Sequence, residues 1–147
     1  MSEILEYTSP EDGLKLMVEV TNLSHVANVQ TTVRSIAKKL GFSELASHKA
    51  ATSASELASN LVHHANNGGS IIIREIRKSG YVGIEIVSDD SGPGIKDVDL
   101  ALQDGYSTGN GLGSGLPAVK RIMDELEITV TGDSKTCIKT RLWYLCE

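Results

Sequence analysis

The hydrophobic spacing of this chain changes from a helical period to a strand period at Asn66–Gly69, and that switch limits the folds open to it. Two helix patterns stand back to back before the switch. Asn22 or Ser24 can cap the first, which runs to about Leu40 and stops at Gly41. The second runs from about Ser43 to Ala65 and is ended by Asn66, Asn67, Gly68 and Gly69. After the switch, Ser70–Arg77 and Tyr81–Val87 read as strands joined at Lys78–Gly80, and the alternation of Val82, Ile84 and Ile86 gives the second a buried face. An opening hairpin, Ile4–Tyr7 with Leu14–Val20, turns around Pro10–Gly13. Further on, Asp89–Gly94 reads as a tight polar turn, Asp97–Gln103 as a short helix and Gly105–Gly115 as a glycine-dense loop. Leu116, Val119, Ile122, Met123 and Leu126 then recur at helical spacing, with Pro117 in the first turn where proline is tolerated. Strands at about Glu127–Thr131 and Thr136–Leu145 close the chain. The pattern predicts an α/β (α+β) two-layer sandwich: a mostly antiparallel, mixed sheet with helices on one face, in a single domain over residues 1–147.

Charge narrows the partners. A net charge of −5 argues against nucleic acid or an anionic membrane surface. The N-terminal segment is acidic and interrupted, so neither a signal peptide nor a transmembrane helix is expected, and the protein reads as cytoplasmic. Cys137 and Cys146 fall in what reads as one strand, roughly 30 Å apart, beyond the ~7 Å that a disulfide spans. Reduced thiols are the expectation.

Three segments could carry chemistry. On the second helix, Glu56, Asn60 and His64 are spaced four apart and share a face beside the apolar stripe of Ala50, Ala54, Leu57, Leu61 and Ala65. An Asn side-chain oxygen suits Mg²⁺, and a carboxylate one turn away can take a proton from a hydroxyl or water. The same face is also what a solvated helix presents. In the second segment, Asp89–Ile95, Asp90 could accept from an amino group such as that of adenine, while Gly92 and Gly94 let the backbone pass close to a flat ligand. Asp, Ser, Gly and Pro equally favour a plain turn. The third segment, Ser107–Glu125, runs a glycine-rich loop into a helix N-terminus, whose free N–H groups suit phosphate, and Ser107, Thr108 and Ser114 add hydroxyl donors. A surface linker could look similar. A P-loop is excluded, because no Gly-Lys pair occurs, and His25, His48 and His63 show no metal-ligand spacing.

Together and in order, these segments resemble the boxes of the Bergerat (GHKL) ATPase and kinase superfamily: ELASN (Glu56–Asn60) the N box, DSGPG (Asp90–Gly94) the first glycine box, and GLGSG (Gly111–Gly115) the second. The run QDGYSTGNGLGSGLPAVKRIMDEL is similar to the lid and following helix of the stressosome switch serine/threonine kinases, near relatives of the anti-sigma-factor kinases. The resemblance implies a Bergerat ATP-binding fold, Mg²⁺ and ATP in its cleft, and transfer of the γ-phosphoryl to Ser or Thr of a STAS-domain protein. It implies Glu56 as general base, Asn60 as Mg²⁺ ligand and Asp90 as adenine reader. Gly92, Gly94, Ile95, Gly111, Gly113, Ser114, Gly115 and Leu116 become nucleotide contacts, with Ser107 and Thr108 near the lid. His64 matches a recurrent His of the kinase subgroup. The C-terminal Gly-Thr of larger members is reduced here to Lys135-Thr136, which places Thr136 at the nucleotide. A downstream phosphatase-type target is a further partner that the family implies. Three other readings compete: a sigma-factor-binding module that is also a kinase, an ATP hydrolase, and a histidine kinase catalytic domain. Glu56 weighs against the last, since a histidine nucleophile needs little help at neutral pH whereas a hydroxyl benefits from a base.

Overall fold

Residues 4–9, 13–65, 68–90, 115–130 and 135–146 are described by the computed structural model, the first of these through the backbone. The turn at Pro10–Asp12, the short helix at Asp97–Gln103 and most of the glycine-dense loop lie outside the described residues.

Two capped helices form as the spacing dictates. Helix α1, Leu23–Leu40, starts at Asn22, whose side chain accepts from the Ser24 N–H, and ends at Gly41 with φ 102°. Helix α2, Glu44–His64, starts at Ser43, whose hydroxyl accepts from the Ala46 N–H, and ends at Ala65. The strands are β1 (Ile4–Ser9), β2 (Gly13–Val20), β3 (Gly69–Lys78), β4 (Tyr81–Asp90), β5 (Glu125–Val130) and β6 (Thr136–Leu145), with α3 (Gly115–Ile122) between β4 and β5. They make a six-stranded sheet in the order β1-β2-β3-β4-β6-β5. Every described pairing is antiparallel, so the parallel pair that a mixed sheet would contain is absent among the described residues.

Two expectations change at element ends. Leu126 does not continue α3. The helix stops at Ile122, the Asp124 N–H donates to the Arg141 carbonyl, and Leu126 pairs with Thr140 in β5. Likewise Asp89 and Asp90 are the last residues of β4 and not a turn, because Gly69 and Ser70 pair with them across β3 and Cys137 pairs with Asp89 across β6. In both places the sheet ladder outweighs local propensity.

The core fills the space between helices and sheet. Val18 and Val20 of β2, Ile71 and Ile73 of β3, Ile84 and Ile86 of β4 and Ile138 of β6 meet Val29 and Val33 of α1 and Ala54, Leu57 and Leu61 of α2. The other face of the sheet is charged. There Glu85, only 3% exposed, lies 3.0 Å from Arg74 and 2.7 Å from Arg141. Tyr144 ties β6 to the helix layer, donating its hydroxyl to the Leu40 carbonyl and meeting Phe42 edge-on. Cys137 and Cys146 are both free. Among the described residues no helix is long and apolar enough to cross a membrane.

Candidate functional site

Strand periodicity decides where Asp90 points. Val82, Ile84, Ile86 and Ser88 are buried under the helices, so the next position of that parity, Asp90, belongs to the same face. It stands where the apolar run ends, half-buried at the edge of the helix layer. Its Oδ1 accepts the backbone N–H of Thr136 at 3.0 Å, across the junction with β6. Thr136 itself is 1% exposed and opens β6. A carboxylate offers about four acceptor sites, so one that takes a backbone donor can also take an amino group.

Helix α2 supplies the opposing wall. Its buried stripe, Ala50, Ala54, Leu57, Ala58 and Leu61, seats it on β2, β3 and β4. Glu56 and Asn60 are each one position from that stripe and are half-buried. They thus sit at the border between core and solvent, where a polar ligand can reach them. His64 continues the face one turn on, at the exposed end of the helix. Partial desolvation, and then the neighbouring His63, lower its pKa below the ordinary histidine value.

The N-terminus of α3 completes the described part. Gly115 opens the helix, and Leu116 is 3% exposed within the core, so what Leu116 can offer a ligand is its backbone. Helix α3 packs against α2, which brings the end of the glycine-rich segment to the helix that carries Glu56 and Asn60. Gly92, Gly94, Ile95, Ser107, Thr108, Gly111, Gly113 and Ser114 lie outside the described residues.

Among the described residues no group of three His, Cys, Asp or Glu could hold a metal unaided. Mg²⁺ needs no such cage when phosphates supply most of its ligands, and the half-buried carboxamide of Asn60 is one hard oxygen of the right kind. The donor set fits.

Two features of the site cannot be read from local sequence. One is the bond from Thr136 N–H to Asp90, which joins residues far apart in the chain and is invisible without the sheet order. The other is Gly69, which in the sequence looks like part of a helix terminator. The signal for it is the doubled glycine: Gly68 has φ 68° and accounts for one, and the second has another cause.

Residues 20–142 match the Histidine kinase-like ATPase domain family. The serine/threonine-protein kinase RsbT of Bacillus subtilis (strain 168) is 40% identical over 110 residues, covering 75% of this chain and 82% of that protein. The anti-sigma F factor of Caldanaerobacter subterraneus subsp. tengcongensis is 32% identical over 133 residues, covering 84% of this chain and 90% of that protein. Among solved structures, the mycobacterial sensor histidine kinase MprB has a TM-score of 0.53 at 14% identity, covering all of both chains. The catalytic domain of histidine kinase ThkA has a TM-score of 0.50 at 15% identity, over 95% of each chain. At such identity these two structures speak for the fold alone.

Proposed function

We infer that this chain, which belongs to the histidine kinase-like ATPase domain family and is an ATP-dependent protein kinase of the RsbT type, phosphorylates Ser or Thr on a folded STAS-domain protein in a bacterial stress-signalling partner switch. The observation that carries the reading is the pairing of an acid, Glu56, with Asn60 on the α2 face beside the core, at a site where Thr136 orients Asp90.

In this reaction the oxygen of the partner's hydroxyl bonds to the γ-phosphorus as the bond from that phosphorus to the β–γ bridging oxygen breaks and ADP leaves. Glu56 takes the hydroxyl proton. Asn60 would hold Mg²⁺ through its side-chain oxygen, and the cation supplies neutralisation of charge on the phosphates. Asp90 accepts from the adenine amine. Gly92, Gly94, Ile95, Gly111, Gly113, Ser114 and the backbone of Gly115 and Leu116 would surround the nucleotide, with Ser107 and Thr108 at the lid and His64 among the nucleotide contacts. Residues 1–147 act as one cytoplasmic kinase domain whose downstream output is a phosphatase-type or other target protein.

The chain's likeness to anti-sigma F factors favours a second reading, an ATP-dependent sigma-factor-binding module that phosphorylates an anti-anti-sigma protein. Incubation with labelled ATP, Mg²⁺ and a panel of STAS proteins and sigma factors separates the two. Phosphate on a STAS serine or threonine with no sigma-factor complex supports the first, and a stable sigma-factor complex supports the second. Phosphate on histidine alone would overturn both.

A further inference from the structure

Gly69 has its own place in the fold. It is the first residue of β3 and pairs directly with Asp90 at the end of β4. Parity puts it on the helix-covered face with Ile71 and Ile73. A Cβ built there would lie 3.0 Å from Asp90 Cα, 2.8 Å from Leu61 Cδ2 and nearer still to the Asp89 carbonyl oxygen. Carbon atoms ordinarily rest ~3.5–4.0 Å apart. So the end of β4 and the Leu61 turn of α2 approach each other through a gap that any side chain at position 69 would fill.

We propose that Gly69 is a positioning residue for the adenine subsite, and that its bare backbone sets Asp90 against α2 and so fixes the preference for an adenine base. This rests on the reading of Asp90 given above. A methyl at position 69 must displace either β4, carrying Asp90, or α2, whose Leu61 directly follows Asn60. Asp90 is tethered on its other side by the Thr136 N–H at 3.0 Å, so it cannot recover its place by a simple rotation without breaking that bond. Hydrogen bonds weaken steeply beyond a few tenths of an ångström from their optimum, so the bond to the base amine is the first to fail.

The test compares ATP with inosine triphosphate, which carries an oxygen where adenine has its amine, by calorimetry on the full chain with Mg²⁺. The wild-type chain binds ATP ~10- to 150-fold more tightly, the span expected for one charge-assisted hydrogen bond. Gly69→Ala brings that preference to within about threefold of unity, mainly by weakening ATP. Gly80→Ala, at the opposite end of the β3–β4 hairpin, strains the turn through its φ of 82° but adds a methyl whose nearest neighbour is Leu145, far from Asp90 and α2, and keeps the preference. A folded Gly69→Ala chain whose preference for ATP stays clearly above about threefold overturns the inference. Parallel weakening of both nucleotides does the same, since that is what loss of structure alone would give. If Gly69→Ala does not fold, Gly69→Ala with Leu61→Ala, which frees the helix side of the methyl, takes its place with the same expected result. Failure of both to fold overturns the inference by making Gly69 a folding residue alone. A wild-type chain that binds ATP without preference refutes the reading of Asp90 itself, and one that binds no ATP refutes the proposed function.

Discussion

In the proposed reading Asp90 has two jobs, and two substitutions separate them. Its Oδ1 accepts the Thr136 N–H, and the same carboxylate has further acceptor sites to offer the base. Asp90→Ala removes both functions. The Thr136 N–H, which opens β6 on a residue only 1% exposed, is left without this acceptor, at a cost of about 1–2 kcal/mol of stability. For a domain of this length each kcal/mol lowers Tm by roughly 3–4 °C, so a fall of roughly 3–8 °C is expected. Removing the charged hydrogen bond to adenine costs a further ~1.5–3 kcal/mol of binding, about 10- to 150-fold in Kd. Asp90→Asn keeps a carbonyl oxygen for Thr136 but presents an amide donor to the adenine amine, which is itself a donor. It should therefore unfold within about 2 °C of wild type while binding ATP as poorly as the alanine variant. Thermal unfolding without nucleotide and calorimetry with Mg²⁺-ATP read the two effects independently. Equal loss of Tm in both variants would refute the role of the Thr136 bond, and unchanged ATP affinity in either would refute Asp90 as the base reader.

Further expectations are as direct. Glu56→Gln should bind ATP within about threefold of wild type yet transfer phosphoryl ~10²- to 10³-fold more slowly, the lower half of the general-base range because the transition state is loose. Asn60→Ala should damage binding and transfer together, and single-turnover phosphorylation of the partner checks both. Glu85→Ala leaves Arg74 and Arg141 without the buried acid they share, and should cost about 2–3 kcal/mol in urea unfolding. That is less than for a fully buried pair, because both arginines reach solvent and can rehydrate. His64 has a depressed pKa in the folded chain, so its neutral form is the one folding favours. Its contribution to stability is complete above the ordinary value of 6.5 and is lost as pH falls through the folded value. His64→Gln should flatten the urea midpoint over that window relative to wild type, and identical slopes in the two chains would exclude the effect.

The helices are legible in the sequence because every local signal agrees. Asn22, Gly41 and Ser43 are cap residues at the places where the apolar period begins or ends, and they cap α1 and α2 in the structure. Glu56 and Asn60 follow, since helical spacing alone puts them on one face. Leu126 is ambiguous because it fits the helical three-and-four spacing of Val119 and Ile122, yet Leu126, Ile128 and Val130 also fit a period of two. Pairing with β6 chooses between them, and no window of local sequence contains β6. Asp89 and Asp90 resemble a turn for the same reason. Their composition favours one, and only the ladder partners Gly69, Ser70 and Cys137 hold them extended. Gly69 is opaque because its function lies in an atom it lacks and in neighbours from two other elements.

The place of the site follows from how the core ends. Along β4 the helix-facing positions run Ile84, Ile86, Ser88, Asp90, passing from apolar to polar over about two residue pairs while α2 continues overhead. On β3 the matching positions run Ile73, Ile71, Gly69, and on β6 Thr140, Ile138, Thr136. The sheet thus stops supplying apolar surface at one level across three strands. Helix α2 does not stop there, because its Leu57 and Leu61 still pack downward while Glu56 and Asn60, one step round the cylinder, face out of the core. One helix therefore closes the core and carries Glu56 and Asn60, the groups proposed to act on the phosphates, with no loop between the two roles. A truncation such as Leu57→Ala would cost stability and would also let α2 settle into the vacated space, moving Glu56 with it. In the proposed mechanism stability and catalysis share a helix, and the lever arm between them is one residue long.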